Sequence, residues 1–310
     1  MKTAETVVRA FRPEDMPALR GVLSEPDIVQ QFDMYEGDDG AERLLGDPYT
    51  PAEGVRLAFA DGVPAGFACA IVLPGLPPWA MLRGGVLPRF RRRGLGRALH
   101  DSVSAFVRAQ TRVPGIVETA IAAWQPLEEA RALAERLGYR HDRWFWLMRR
   151  ERGSPPPAPS WPDGVHVRAF DGGDAMLADW TEVYNASFSE NYRFVPSPPG
   201  HAREIAKKPG FRADGLLLAY RGGSVVGFCR NELHARRAEI GTLGTIRSAR
   251  GTGLGRALLR WGVGWIERET ALPVTLMVDG ENEGALGLYR SEGFQVTHTR
   301  RIWARPVARA

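Results

Sequence analysis

The sequence predicts an α/β protein made of two consecutive copies of one domain. The chain has 310 residues, which is long for a single hydrophobic core. The hexapeptide GLGRAL at 94–99 recurs at 253–258, and VRAF at 8–11 recurs at 167–170 with the same spacing. In both copies, short strand-like runs alternate with apolar residues at helical spacing. These observations together indicate a duplicated α/β domain.

The proline-rich stretch between the copies sets the expected domain boundaries. It reads ERGSPPPAPSWPDG, which cannot continue a helix or a strand and suits a semi-rigid linker. We therefore expect a first domain over residues 1–152, a linker over 153–162 and a second domain over 163–310.

Each copy is expected to contain its elements in the same order. A first strand, Thr6–Phe11 in the first copy, is followed further on by a hairpin. The hairpins read LAFADGVPAGF at 57–67 and LAYRGGSVVGF at 218–228, each with a glycine turn between two apolar strands. After GLGRAL the apolar residues recur at helical spacing. A last short helix in each copy ends at a glycine, Gly138 or Gly293.

The charge of the chain narrows its possible partners. The net charge is +5, and the only lysines among the 41 basic residues are Lys2, Lys207 and Lys208. The arginines are spread along the chain and are not interleaved with aromatic residues, so we expect no nucleic-acid binding. A small acidic ligand accounts for the same charge.

Neither a membrane span nor a secretory leader is expected. The uncharged stretch at 63–82 contains four prolines and predicts two strands joined by the turn PGLPP. A strand close to the N-terminus leaves no room for a charged-then-apolar leader. Cys69 and Cys229 lie in apolar strand-like runs that are typical of reduced, buried thiols. We expect a cytoplasmic protein.

Both GLGRAL segments open a helix directly after a basic loop. The loops read RRRGLGRAL at 91–99 and RGTGLGRAL at 250–258. A helix N-terminus offers unpaired N–H groups, glycine lets a ligand approach the backbone, and arginine attracts phosphate. The pattern indicates a diphosphate site; for one copy alone, a glycine-rich helix start without a ligand is the alternative. A P-loop needs Gly-Lys-Ser/Thr here, and a dinucleotide loop needs a small residue where both copies have leucine, so both are excluded.

The segments VLPRFRRRGLGRAL and TIRSARGTGLGRAL resemble the pyrophosphate-binding segment of the GNAT superfamily of N-acetyltransferases. The pattern of that segment is Arg/Gln-x-x-Gly-x-Gly/Ala after the fourth strand. Val274–Phe294 is similar to the next strand and helix of the family. The resemblance covers both copies, and the tandem layout is similar to that of mycothiol synthases. It implies two tandem GNAT domains, each a mixed, mostly antiparallel twisted sheet flanked by helices.

The resemblance implies acetyl-CoA as the acetyl donor and no metal. The loop would hold the diphosphate, and the edge of the fourth strand would pair with the pantetheine arm. The implied binding residues in the second copy are Leu243, Gly244, Thr245, Arg250, Gly251, Thr252, Gly253, Leu254, Gly255, Arg256 and Asn282. Those in the first copy are Gly84, Gly85, Val86, Arg91, Arg92, Arg93, Gly94, Leu95, Gly96 and Arg97.

Acetyl transfer to an amine needs a base for the proton of the amine and an acid for the leaving thiolate. Tandem synthases of the mycothiol type carry their catalytic glutamate at the position of Glu239, so the resemblance implies Glu239 as the base. Tyr289 lies in the register of the family's acid. A solvated strand carboxylate and a packing tyrosine are the alternatives. The first copy has Ala80 and Ala134 at these positions, so we expect catalysis in the second copy only.

The expected function is acetyl-CoA-dependent transfer of an acetyl group to a primary amine of a small molecule. A non-catalytic acyl-CoA-binding module is one alternative, although such a module would need neither Glu239 nor Tyr289. An acyltransferase with a non-amine acceptor is the other, and the sequence does not exclude it.

The acceptor is expected to contact the first two helices of the second copy and the loop between them. This segment, at 180–200, is aromatic and polar, and Asp179 and Glu190 are candidates for contact with an ammonium group, with plain surface charges as the alternative. Glu232 stands where mycothiol synthases would carry a lysine, which argues against mycothiol synthase itself.

Overall fold

The computed structural model describes residues 5–29, 31, 39–125, 127–153, 155–207, 211–234 and 236–307. The chain divides into two compact units. The first unit contains Met1–Arg143 and Arg300–Ala310, and the second contains Trp144–Thr299.

The first half of the chain contains the expected order of strands and helices. The hairpin turn at Asp61 and Gly62 has positive φ angles of 50° and 76°, as a two-residue turn between twisted strands requires. The elements are β1 (Thr6–Ala10), α1 (Met16–Leu23), α2 (Pro26–Val29), α3 (Gly40–Gly46), β2 (Arg56–Ala60), β3 (Val63–Leu73), β4 (Trp79–Val86), α4 (Leu95–Ala109), β5 (Glu118–Trp124), α5 (Glu128–Arg136) and β6 (Arg140–Arg150).

The second half repeats this order with one short helix fewer among the described residues. Its hairpin turn, Gly222 and Gly223, has φ angles of 57° and 83°. The elements are β7 (Val165–Ala169), α6 (Asp174–Phe188), α7 (His201–Ala206), β8 (Phe211–Arg221), β9 (Ser224–Leu233), β10 (Ala238–Thr245), α8 (Leu254–Glu269), β11 (Val274–Asp279), α9 (Glu283–Ser291) and β12 (Gln295–Pro306).

Each unit has a mixed, mostly antiparallel sheet, which confirms the predicted fold class. In the first unit β1 to β4 pair antiparallel in chain order, and β4 pairs with β5 in parallel. Arg300–Pro306 of β12 completes this sheet antiparallel to β5. In the second unit β7 to β10 pair antiparallel, β10 pairs with β11 in parallel, and Phe145–Arg150 of β6 is antiparallel to β11.

The last strand of each sheet therefore comes from the other half of the chain. The compact units differ for this reason from the expected domains, 1–152 and 163–310, which assign β6 to the first domain and β12 to the second. Both strands follow equivalent helices, and a strand's own sequence does not specify which of two similar sheets it joins. In the linker, Gly153 and residues 155–162 contain no helix or strand.

Helices cover both faces of each sheet. Successive residues of a strand point to opposite faces. In the first unit Leu57 packs with residues of α1, whereas Ala58 packs with residues of α4. In the second unit Leu218 packs with α6 and Ala219 with α8. The helices opened by GLGRAL, α4 and α8, therefore occupy equivalent positions in their units.

Two further expectations concern the cysteines and the membrane. Cys69 and Cys229 are free, fully buried thiols, as predicted, and burial raises the pKa of Cys69 to about 12. The stretch at 63–82 forms β3 and the first half of β4, joined by a turn. Among the described residues, no helix has the length and apolar composition needed to cross a bilayer.

Removal of Arg150 is expected to destabilise the second unit. The Arg150 guanidinium, 13% exposed, forms an ion pair with Glu267 of α8, 11% exposed, and its Nε donates to the carbonyl oxygen of Glu292 at 3.1 Å. Arg150→Ala leaves the Glu267 carboxylate buried without its partner, which costs about 3–5 kcal/mol. Arg149→Ala is the matched control, because its partner Glu151 is exposed and such pairs contribute below about 1 kcal/mol. Urea unfolding measures both, and equal midpoints would contradict the prediction.

Candidate active site

In the second unit, β10 and β11 separate directly after Glu239. They pair at two positions only, Ala238 with Val274 and Glu239 with Thr275. β10 remains paired with β9 up to Thr245, with one β-bulge after Ile240. Among the described residues no strand pairs with the β11-facing edge of 243–245. An extended ligand can therefore pair with this edge as an additional strand would.

The edge leads into the loop of residues 250–256, here named the glycine-arginine loop. Gly251 and Gly253 have φ angles of +76° and +92°, a region that favours glycine. A Cβ at either position would meet no atom within 4 Å, so backbone conformation and not packing requires glycine here. The first N–H groups of α8, which begins at Leu254, have no intrahelical partner. The loop therefore presents several N–H groups to an anion.

The arginines of this loop contact carboxylates of the protein. Arg250 Nη1 lies 3.0 Å from Glu190 Oε2, and Arg250 Nη2 donates to the carbonyl oxygen of Ser187 at 3.1 Å. Arg256 forms an ion pair with Glu292, whose carboxylate also accepts a hydrogen bond from Arg260. That Arg250 and Arg256 contact a ligand phosphate stays a prediction.

Glu239 belongs to a group of charged side chains, here named the ionic cluster. Its members are Arg230, Glu232, His234, Arg237 and Glu239. Arg237 Nε lies 3.1 Å from Glu239 Oε2, and His234 Nε2 lies 3.6 Å from Glu239 Oε1. Glu232, directly opposite Glu239 on β9, pairs with Arg230 and with His234 Nε2 at 3.3 Å. The cluster lies on the α6 face of the sheet, because Arg230 also stacks over Trp180 of α6.

The ionic cluster holds two of its members, Glu232 and His234, in their charged forms. Hydrogen bonds to Glu232 and Glu239 raise the pKa of His234 to about 9, so the imidazole is cationic at neutral pH. The pKa of Glu232 falls to about 2 because the hydrogen bond from His234 and the charge of Arg230 outweigh its burial. Ligand atoms of Glu232, His234 and Glu239 lie within 4.8 Å of one another, but the two adjacent guanidinium groups oppose a divalent cation.

Tyr289 lies on the opposite face of this sheet. It belongs to α9 and packs in the core that contains Leu254 and Leu258 of α8 and Leu276 of β11. Its side chain is 9% exposed, and burial raises the pKa of its phenol to about 12. The phenol therefore keeps its proton at neutral pH.

Comparisons with known proteins identify the family of this chain. The model of the acetyltransferase (GNAT) family matches residues 23–139 and again residues 177–294. The chain belongs to the GNAT family of acetyltransferases. This family uses acetyl-CoA, and the two matches confirm the predicted tandem organisation.

Individual relatives of this GNAT acetyltransferase are similar over most of its length. A mycothiol acetyltransferase from Salinispora arenicola is 35% identical over 296 residues, which cover 88% of this chain and 91% of that protein. A GCN5-related N-acetyltransferase from Sphaerobacter thermophilus has 27% identity and a TM-score of 0.74, covering 98% of this chain and 96% of that chain. A tandem GNAT protein from the clavulanic acid biosynthesis pathway shares the fold, with 16% identity, a TM-score of 0.73 and 99% coverage of both chains.

Asn282 has a structural contact in the acetyltransferase. Its side-chain Oδ1 accepts a hydrogen bond from the backbone N–H of Ala285 at 3.1 Å and so caps the N-terminus of α9. The cap positions the helix that carries Tyr289. Leu127 occupies the equivalent place before α5 and makes no such side-chain hydrogen bond.

The first unit of the acetyltransferase retains a cleft at its glycine-arginine loop. A cavity of about 510 Å³ extends from β4 along the start of α4. Arg93 does not line it, and its Nη2 instead donates to the carbonyl oxygen of Arg89 at 3.3 Å. The other predicted ligand-binding residues of this unit do line it, namely Gly84, Gly85, Val86, Arg91, Arg92, Gly94, Leu95, Gly96 and Arg97.

In the described part of the first unit, alanine occupies the positions equivalent to the predicted base and acid. Ala80 lies opposite Thr119, as Glu239 lies opposite Thr275. Ala134 is the seventh residue of α5, as Tyr289 is of α9, and it is fully buried against Trp303. β4 also stays paired with β5 as far as Leu82 and Ile121, so the strands separate two residues later than in the second unit.

Asp179 and Glu190, the candidates for contact with an ammonium group, both interact with other side chains of the protein. Asp179 accepts a hydrogen bond from the Tyr220 hydroxyl at 2.8 Å, and Glu190 pairs with Arg247 and Arg250. Sequence reasoning missed His234 and Arg237 as neighbours of Glu239. The signal that could have found them is the β9–β10 hairpin, which places side chains near its turn beside the predicted base.

Proposed function

We propose that this acetyltransferase transfers the acetyl group of acetyl-CoA to the amine of a small molecule, and that the reaction takes place in the second unit. The observation that carries this proposal is the opening between β10 and β11 directly after Glu239, which leads to the glycine-rich start of α8. The ionic cluster lies on one face of the sheet at this opening, and Tyr289 lies on the other.

Binding of the donor is assigned to backbone groups and glycines. The edge of Leu243, Gly244 and Thr245 would pair with the pantetheine arm, and the loop N–H groups from Gly251 to Arg256 would hold the diphosphate. The positive φ of Gly251 and Gly253 and the open space around both glycines support this assignment.

Glu239 and Tyr289 are assigned the two proton transfers. Glu239 accepts a proton from the acceptor ammonium, so that the amine nitrogen can form the new C–N bond as the thioester C–S bond breaks. Tyr289 donates its hydroxyl proton to the leaving thiolate. The second proton that the nitrogen loses as the amide forms passes to solvent, from which Tyr289 is reprotonated. The phenol is suited to this role because it is protonated until the thiolate develops.

The first unit is assigned ligand binding without turnover. Its cavity contains the loop glycines and arginines, but Ala80 and Ala134 provide neither a base nor an acid. Gly96 and Gly255 occupy the same position in the two loops, so replacing each of them in turn tests this division of roles.

Replacement of Gly96 or Gly255 by leucine is expected to remove one donor site each. Both glycines lie in the first helical turn, where leucine favours a helix more than glycine does. A Cβ would lie 3.4 Å from Leu133 Cδ2 at Gly96 and 3.7 Å from Leu288 Cδ2 at Gly255, both ordinary contact distances, so we expect folding to be retained. The added side chain blocks the approach of the diphosphate to the backbone. Loss of two charge-assisted hydrogen bonds weakens binding by ~100-fold or more.

Titration calorimetry with acetyl-CoA is expected to count two sites in the wild type and one in each variant. Gly96→Leu retains turnover, whereas Gly255→Leu loses it, as measured by CoA release with an amine panel. A single site in the wild type, or lost turnover in Gly96→Leu alone, would contradict the proposed roles.

A further inference from the structure

The first-unit cleft is lined by two arginines whose equivalents in the second unit are uncharged. Arg92 lies in the loop before α4, and Arg136 is the last residue of α5; both line the cavity of about 510 Å³. When the two copies are aligned, the equivalent residues of the second unit are Gly251 and Ser291. At these two places the first unit therefore presents cationic side chains that the second unit lacks.

Neither of the two arginines pairs with a carboxylate of the protein. Arg92 makes no hydrogen bond, ion pair or ring contact with the rest of the described chain, and Arg136 donates from Nε to a backbone carbonyl at 3.1 Å. Of the two carboxylates that line the cavity, Asp27 pairs with Arg91 at 2.9 Å, and Glu129 forms an ion pair with neither arginine. Both arginines are exposed, so their guanidinium groups are accessible to a ligand in the cleft.

The backbone of Arg92 has a conformation that favours glycine. Its φ angle is +63°, close to the +76° of the equivalent Gly251. A residue with a Cβ is strained at such an angle, so glycine would fit this turn better. Strained residues of this kind occur mostly where a side chain has a role in binding or catalysis. The conformation of Arg92 thus agrees with a role for its side chain in the cleft.

The features that both loops share account for a ligand group that both units bind. Each loop has a glycine with positive φ before its helix, Gly94 or Gly253, and an arginine three residues earlier, Arg91 or Arg250. These shared features are assigned to the diphosphate. CoA carries one further phosphate, on the 3′ position of its ribose. Cationic side chains found in the first unit alone suit this additional group, since arginine binds phosphate through paired hydrogen bonds.

We infer that the first-unit cleft recognises the 3′-phosphate of CoA, and that Arg92 and Arg136 are the residues that bind it. The inference rests on the proposed binding of a CoA-type ligand by the first unit. It names the part of the ligand that this non-catalytic site selects, and it assigns two side chains to that selection.

The test compares CoA with 3′-dephospho-CoA, which lacks this phosphate and keeps the diphosphate. Titration calorimetry uses the full-length Gly255→Leu variant, in which the first-unit site is expected to remain. CoA is expected to bind ~10–100-fold more tightly than 3′-dephospho-CoA, as a charge-assisted hydrogen bond provides. The ratio of the two Kd values should fall as salt is added, because both arginines are exposed.

Arg92→Gly and Arg136→Gln are then added to this variant, singly and together. Each is expected to lower the ratio of the two Kd values, and the double replacement to bring it to about one. Arg92→Gly also removes the strain at positive φ, so its urea midpoint should not fall and the lost affinity is not a loss of folding. Arg93→Gln is the control, because it removes the same charge from a neighbouring side chain that does not line the cavity; it should keep the ratio.

The outcomes separate this inference from the proposed function. Equal affinities for CoA and 3′-dephospho-CoA would overturn the inference and leave the proposed donor site of the first unit intact. A ratio that survives the double replacement would overturn it as well. If Gly255→Leu binds neither nucleotide, the first unit is not a donor site, and both its proposed role and this inference fail.

Discussion

Tyr289→Phe is expected to lower kcat by ~10²–10⁴-fold, the usual contribution of a positioned proton donor. The phenol packs against α8 and β11 in the second unit, and phenylalanine fills the same space without the hydroxyl. Acetyl-CoA affinity is expected to change little, because the hydroxyl acts mainly in the transition state. Burial raises the pKa of Tyr289 to about 12, so the loss should be the same from pH 6 to 9.

Tyr139→Phe provides the matched control for this variant. Tyr139 is a buried phenol of the first unit and contacts His100 Nε2 at 3.1 Å and Thr119 Oγ1 at 2.9 Å. Its removal is expected to leave turnover unchanged. Steady-state CoA release measures both variants, and equal kcat for Tyr289→Phe and wild type would show that the acid lies elsewhere.

Glu239→Gln is expected to lower kcat/KM by ~10²–10³-fold at pH values below the pKa of the acceptor amine. The amide has nearly the shape of the carboxylate but cannot accept the ammonium proton. As the pH rises and the acceptor loses its proton in solution, the need for the base disappears. The ratio of wild-type to variant rates should therefore be largest at low pH and fall as the pH rises.

Glu283→Gln is the control for the loss of one negative charge. Glu283 is exposed in the first turn of α9 and is not a member of the ionic cluster. The pH–rate profile of this variant should follow that of the wild type. A wild-type to Glu239→Gln ratio that does not vary with pH would contradict the assignment of Glu239 as the base.

Local sequence patterns predicted most of the fold. Neighbouring residues set the turns at Asp61–Gly62 and Gly222–Gly223 and the helix starts at Leu95 and Leu254. They also set the glycines with positive φ that follow α5 and α9, Gly138 and Gly293. The repeat then placed Ala80 and Ala134 at the positions of Glu239 and Tyr289. Each of these features depends on spacing along the chain, which a single sequence shows directly.

Features that depend on contacts between distant residues were not predicted. The expected domain boundaries missed the exchange of β6 and β12, because the pairing of Arg150 with Val274 leaves no mark in either segment alone. The contact of Arg237 with Glu239 joins residues only two positions apart, so strand alternation could have indicated it if the start of β10 had been located.

The exchange of β6 and β12 has a consequence for any shortened form of the chain. A chain shortened to residues 163–310 would lack the strand that borders β11 and would lack Arg150, the partner of Glu267. The first half would likewise lack the segment 300–306 that borders β5. Removal of either half therefore takes one strand away from the sheet of the other unit and exposes the hydrogen-bonding edge of β11 or of β5.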